Sequence, residues 1–532
     1  NITITGGTID GNRTNDTLDT GSTWGGSFAA NANRAGVLGS TNAVVTCVNV
    51  TIKGVRFINM VGVAINLDMS GDIRVQDCFE QNAKNLFANI TGDATTLLTK
   101  GKLWFEGNSC SGDRVQNNVP NSFVLDRKDS LIVTKNILDE SLQSGAGGGK
   151  TQDSNNTVVS NNVFINTYLK PQSAPSFIGK TYVISGNTFK TSAPLTHATG
   201  IQMGFHTVES LAITGNSIAD GYIVTERSSY NTIISGNTIN VSQSLGAGDR
   251  ILIQGGANNG PAGRCLISSN TVNVSGLASH HFYYPPADIG PTQITGNYVT
   301  GCDHLWYFQG NQSANSLVVI ANNVFTNIRA AGRINIGSSA IGYCITGNQF
   351  LQRDTNAATN YGSANEGIGF QFSGTPTINQ ITIVDNYVDS TWNTNNGYWF
   401  LTATNGSQIT NLTIASNIFS NYSPTTGYSF LSNAATTTIS TLRLYSNRCA
   451  GEFSVPSGAT ITAQFISGNT CEFTGGGWRQ ILNTTRKLFD IVGDLSTTVG
   501  GAGGASALPL TPRGYVNVNV SGTIQKIPYY DS

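Results

Sequence analysis

The chain has 532 residues, with 29 Lys and Arg against 30 Asp and Glu, a formal net charge of −1 and only 11% charged residues. Globular domains average about 25% charged, so nucleic-acid binding by counterion release, coiled coils and helical bundles are excluded. Disorder is excluded as well, because 39% of the residues are hydrophobic and recur periodically, and no run of about 18 apolar residues could cross a membrane as a helix. What remains is a large, neutral β protein with 61 Gly and about one Asn in every nine residues. The sequence opens at Asn1 without Met, signal peptide or basic leader, which suggests a fragment or a processed product.

Residues 1–45 begin NITITGGTIDGN and continue rich in Gly, Thr and Asn, reading as a first rung and N-terminal cap. From 46 to 474 one phrase recurs: apolar, any, apolar, two small or polar residues, Asn, any, apolar. It stands as ISGNTF at Asn187, ITGNSI at Asn216, ITGNYV at Asn297, IVDNYV at Asn386 and ISGNTC at Asn469. Further copies centre on Asn108, Asn136, Asn162, Asn237, Asn270, Asn323, Asn348, Asn417 and Asn447, with Asp77 in the Asn position of VQDCF. Successive Asn positions lie 21 to 38 residues apart, and the variation falls between the phrases, as loop insertions would.

This pattern predicts a coil of short strands in which each turn of chain is one rung. Apolar residues two apart point inward. The Asn is expected at the bend, where it tolerates the left-handed conformation and its amide can bond the Asn one rung away, about 4.8 Å along. The predicted fold is all-β: a right-handed, single-stranded parallel β-helix of about 17 rungs. The eight Cys show no CxxC or Cys/His spacing, so neither a zinc site nor a disulfide framework is expected. Cys78 with Cys110, and Cys449 with Cys471, are expected to stack as core thiols. After GGGWRQ the phrase stops, and residues 475–532 read as a linker followed by a β segment, GYVNVNVSGTIQKIPYY, with a hairpin turn at Ser521-Gly522. A lone hairpin buries little, so association with other copies is expected there.

The Asn ladder together with this apolar β ending resembles the bacteriophage tailspike proteins, depolymerases of bacterial surface polysaccharide. The ladder is shared with pectate-lyase-like enzymes and mannuronan epimerases; the terminal segment favours tailspikes. The resemblance covers most of the chain. It implies a homotrimer in the phage tail that acts at the bacterial surface in host recognition and cuts O-antigen or capsule. It also implies attachment to the particle through an N-terminal region that this chain lacks.

Aligning the second strand of each rung gives SFVL at 122, SFIG at 176, GIQM at 200, GYIV at 221, RILI at 250, HFYY at 281, HLWY at 304, RINI at 333, GIGF at 367, GYWF at 397 and GYSF at 427. In that alignment the first and third residues point outward. Arg250, His281, His304 and Arg333 then form one column, with Tyr283, Trp306 and Trp399 beside it as faces for sugar rings. Asp249, Asp303 and Glu366 stand just before their strands. Glycoside hydrolysis needs two carboxyl groups, one of them protonated, and Asp303 and Glu366 fall two rungs apart, roughly 10 Å, which suits an inverting geometry. Asp249 is the substitute partner, and Asp126 and Glu226 are reserve carboxylates. The expected function is an endo-glycosidase without metal or cofactor. The alternatives are a polysaccharide lyase, in which an Arg neutralises a uronate and a His abstracts the proton, and a non-cleaving glycan adhesin.

Overall fold

The computed structural model describes residues 1–11, 36–40, 49–60, 62–81, 87–91, 101–111, 121–139, 148–172, 178–191, 199–203, 207–225, 229–242, 251–254, 263–275, 280–283, 290–302, 304–308, 316–328, 330–336, 340–351, 368–372, 377–389, 408–419, 438–449, 460–473, 477–479, 514–520 and 523–529. Among these every regular element is a β-strand, and the chain winds as a right-handed parallel β-helix. Among the described residues, the first thirteen rungs add strands to three sheets in turn and the last four to two. The first sheet stacks seventeen parallel strands, such as Lys102–Glu106, Ser130–Thr134 and Asn156–Ser160, which gives the seventeen rungs expected. The second sheet takes the short strands just after each ladder residue, such as Ile137–Asp139. The third takes thirteen strands, such as Asn121–Asp126 and Gly148–Gln152.

The ladder is present over its whole predicted length. From Asn108 to Asn469, thirteen successive bonds of 2.8–3.0 Å run from Asn Nδ2 to the Oδ1 of the next ladder Asn. The same Oδ1 accepts a backbone N–H from the rung before, as in Asn237 N to Asn270 Oδ1 at 3.0 Å. The amide also donates back to a carbonyl of the preceding rung, as Asn270 Nδ2 does to Ile234 O at 2.9 Å. These side chains are buried, and every polar atom of the stack finds a partner within it.

Two expectations are corrected here. The left-handed residue is not the ladder Asn but the one before it: Lys135, Asn161, Ser269, Asn322, Asp385, Ser416 and Ser446 all have φ between 52° and 57°, and Gly fills this place in most other rungs. The reason is geometric, since the Asn commits both its backbone N–H and its amide to the axial stack and the chain must bend one residue earlier. In VQDCF the same frame makes Asp77 (φ 52°) the bend and Cys78 the ladder residue, its N–H bonded to Asn108 Oδ1 at 3.0 Å. Cys110 therefore does not stack on Cys78; it pairs with Glu80, and its thiol lies 2.8 Å from Glu80 Oε2. Cys449 and Cys471 do pair in register.

Inside the coil, side chains stack as the strands do. Phe57, Phe87, Phe105 and Phe123 form a run of rings with centroids 6.3, 5.5 and 5.5 Å apart. The first rung is made by Ile2–Thr5, Thr8–Asp10 and Val37–Ser40, each paired with a strand of the second rung. At the other end Gly477–Arg479 turns back antiparallel on Thr470–Phe473. Residues Leu482–Ser532 form a second unit, in which Gly514–Val520 pairs antiparallel with Thr523–Tyr529 across the predicted turn.

Lys128 is the one wholly buried Lys among the described residues. Its ammonium reaches two rungs back and donates to Met69 O at 2.6 Å and Gly71 O at 3.2 Å. The intervening rung carries a longer connection between its third-sheet and first-sheet strands than its neighbours do. Lys128→Met keeps the apolar stem but removes this donor from two buried carbonyls. It is expected to cost about 2–4 kcal/mol, read as a lower urea midpoint with an unchanged slope.

Candidate functional site

Alternation fixes which residues of the third sheet face outward. In Asn121–Asp126, Phe123 and Leu125 are fully buried in the core, so Val124 and Asp126 belong to the outer face. In Ile65–Asp68 the outer residues are Asn66 and Asp68, and in Ala88–Thr91 they are Asn89 and Thr91. Asn66, Asn89 and Val124 share one column, which continues through Lys150 and Lys170. Asp68, Thr91 and Asp126 follow residues that are themselves in register, Leu67, Ile90 and Leu125, and form the column beside it. Asn89 Nδ2 donates to Asn66 Oδ1 at 2.7 Å and Thr91 Oγ1 to Asp68 Oδ1 at 3.3 Å.

Asp126 is the unusual member. It is only 5% exposed, and its Oδ1 has no hydrogen-bond partner. Its Oδ2 lies 3.6 Å from Arg127 Nε, too long and too lateral for a strong pair. Burial raises its carboxyl from the ordinary value near 3.8 up to about 7; Arg127 opposes the rise, Asp153 on the next rung adds to it, and Lys150 opposes it. Burial also holds the Lys150 ammonium below its usual range, against Asp126, and Lys170 one rung on pushes the same way. One carboxyl poised near neutrality thus sits diagonal to two stacked Lys. A second carboxylate, the half-buried Asp68, stands two rungs away in the same column, about 10 Å between backbones at strand spacing. Among the described residues no three His, Cys, Asp or Glu side chains come together as a metal site.

The predicted strip farther along the coil is only partly assembled. His281 and His304 do pair in register, their rings 4.9 Å apart and tilted by 31°. Ile251, not Arg250, pairs with His281, and Arg333 pairs with Tyr307 and Gly369, not with His304. The four-residue column of Arg and His therefore does not exist. Phe282 and Leu305 are buried as expected, but the residues expected to face outward are buried too. Tyr283 is fully buried, and its hydroxyl shares hydrogen bonds with Cys265 and Thr292 of the first sheet, across the coil interior. It offers no face to a sugar. His281 and His304, on the same parity as Tyr283, are buried with His280. Trp306 pairs with Tyr283 and Gly332 along the backbone. Asp249, Arg250, Asp303, Glu366, Trp399 and the reserve carboxylate Glu226 lie outside the described residues.

The physical reason is a one-residue slip, which turns every side chain of a strand to the other face. The alignment is right at SFVL and GIQM, where Phe123, Leu125 and Ile201 are buried, but SFIG does not belong to it: Ile178 opens the first-sheet strand Ile178–Ser185, and the third-sheet strand before GIQM is Tyr168–Gln172. It fails at GYIV, because Ile223, not Tyr222, pairs with Ile201. Asp126 was among the reserve carboxylates, but Asp68, Lys150, Lys170 and Asp153 were overlooked. The parallel endings Leu67-Asp68, Ile90-Thr91 and Leu125-Asp126 are the signal that would have found the column. The chain matches no family model, and comparison with curated proteins and with solved structures finds no similar chain.

Proposed function

We propose that this chain is a depolymerase of the tailspike type, which binds and endo-cleaves a bacterial surface polysaccharide, O-antigen or capsule, by glycoside hydrolysis. The substrate groove is the outer face of the third sheet between residues 65 and 172. The observation that carries the reading is Asp126, a nearly buried carboxyl that holds its proton to about pH 7. General-acid assistance to a leaving glycosidic oxygen requires such a group. Asp68 is the matching base: it is half-exposed, and two rungs of separation leave room for a water, as inversion requires. Asn66, Asn89 and Thr91 supply hydroxyl-binding groups beside it. Support also comes from the ladder coil and the β hairpin at 514–529, the two features on which the tailspike resemblance rests. The virion setting follows from that resemblance.

Lys150 favours a second reading. An ammonium held below its usual range by burial can act as a base, and with Lys170 and Arg127 nearby to neutralise a uronate, β-elimination is the lyase alternative. One experiment separates these readings. Purified O-antigens and capsules from a panel of bacteria are incubated with the chain, and fragment size, reducing ends and absorbance near 235 nm are followed together. Hydrolysis is expected to shorten one glycan and raise reducing ends without absorbance, and its rate should decline above about pH 7 as Asp126 loses its proton. Growth of the 235 nm band transfers the assignment to elimination. Unchanged size across the panel leaves only a binding role.

A further inference from the structure

Lys150 and Lys170 pair in register on consecutive rungs of the third sheet, and they are the only Lys in its described strands. Like charges directly opposite each other destabilise a sheet, and a chain with 11% charged residues is not forced by composition to stack them. Both side chains are half-buried, and the residue before them in the column is the apolar Val124. Arg127 adds a third cation, whose Nε is buried and meets no hydrogen-bond acceptor. Opposing charge is short. Asp126 is the main attraction on the Lys150 ammonium, and the repulsion from Lys170 outweighs the pull of Asp153. Asp126 acts as an acid only while it is protonated, and in that state its attraction is gone. The working form of this face therefore sets Arg127, Lys150 and Lys170 against the buried Asp153, with Asp68 on the far side of Asp126.

We propose, resting on the groove and the Asp126 acid assigned above, that the glycan cut there is acidic. A carboxylate or phosphate on a sugar just beyond the scissile bond, on the leaving-group side, bridges the Lys150 and Lys170 ammonium groups. Rung order sets that direction. Asp68 lies two rungs before Asp126, whereas Lys150 and Lys170 lie one and two rungs after it, about 5 and 10 Å between backbones. Water loses a proton to Asp68 and forms the new C–O bond. The old C–O bond breaks, and the departing oxygen takes the Asp126 proton and becomes a hydroxyl. The departing half of the glycan thus lies over the two Lys. An ammonium is a point charge with three rotatable donors, and two of them one rung apart reach two oxygens of a single anionic group. Every fragment released from the interior of the glycan then carries the acidic sugar at or next to its new non-reducing end.

The test uses the full chain and the glycan of the panel above that it cleaves. That glycan is expected to be acidic, and mass spectrometry of its fragments should place the acidic sugar at or next to the new non-reducing end. Reducing its carboxyl groups to alcohols, or removing its phosphate, should lower kcat/KM by about 10- to 100-fold, chiefly through KM. Whichever treatment does so identifies the anion. Lys170→Met keeps the stem, should cost a similar factor on the native glycan, and should cost nothing more on the treated one. The treated-glycan arm uses the wild-type chain and decides even where the variant fails to fold. Cleavage of a neutral glycan that Asp126→Asn abolishes overturns the acidic class and leaves the hydrolase reading standing. Cleavage that survives Asp126→Asn removes the groove and the acidic class together. Where no glycan of the panel is cut, retention on the chain decides. Acidic glycans held by the wild type and released by Lys170→Met support the Lys pair; retention of neutral glycans alike, or of none, overturns it.

Discussion

Asp126→Asn is expected to lower glycan cleavage by 10²- to 10⁴-fold, the usual contribution of a general acid, while raising the stability of the protein above neutral pH. The two effects share one cause. The folded state holds the Asp126 proton up to about pH 7, whereas an unfolded chain releases it near 3.8. Between those values the native state binds more protons, so stability falls as pH rises through the window. At pH 8 the native chain carries a nearly buried carboxylate whose Oδ1 accepts no hydrogen bond. Asn has the same shape without that charge, and about 1–3 kcal/mol should return. Thermal unfolding at pH 5 and pH 8, run beside the cleavage assay, checks both halves. A variant that is less stable at pH 8 and fully active would show Asp126 to be a structural residue. Loss of activity with greater stability is the signature of a group kept for chemistry at the expense of the fold.

The second large effect belongs to the ladder. Asn270→Ala is expected to destabilise the coil by about 3–5 kcal/mol, near the upper end for single substitutions. The change removes the Oδ1 that accepts both Asn237 N and Asn237 Nδ2, and the amide that donates to Ile234 O and to Asn297 Oδ1. Asn237 N–H is left buried without that acceptor, and a small void opens in a dry stack. Its neighbour supplies the control. Ser269 sits at φ 54°, where an L side chain is strained, so Ser269→Gly in the same turn should cost nothing and gain up to about 1 kcal/mol. Urea unfolding of the two variants should therefore move in opposite directions. Equal losses at both positions would mean that the turn, and not the amide stack, holds the rung.

The ladder was legible because an Asn every 21 to 38 residues, flanked by apolar pairs, has no other physical use. It gave the fold, the rung count and the first-sheet strands. The third sheet was harder to read. Tyr222-Ile223-Val224, Ile251-Leu252-Ile253 and Phe282-Tyr283 are consecutive apolar residues, and a strand without alternation does not declare which face is inside. At Asn121–Asp126 the alternation of Phe123 and Leu125 is clean, and there the parity was read correctly. Scarcity of charge narrows the search for a site, but it cannot place a side chain on a strand whose inward face the sequence leaves open. The environment that sets the proton affinity of Asp126 comes from residues on neighbouring rungs, Lys150 and Asp153, and from burial, neither of which composition reveals.

The amide ladder points one way. Each Asn inside the ladder gives its backbone N–H and one amide N–H to the Oδ1 of the following rung, receives the same two from the rung before, and returns its other amide N–H to a carbonyl of the preceding rung. A coil interrupted at any level therefore has unlike ends, with two donors waiting for an amide oxygen on its C-terminal side and a vacant amide oxygen on its N-terminal side, much as a polar filament has a growing and a resting tip. Synthesis proceeds from the N-terminus, so each newly emerged turn brings the oxygen that the previous turn lacks. The protein can thus lengthen rung by rung as it is made, each completed turn serving as the template for the next, without waiting for contacts between distant parts of the chain.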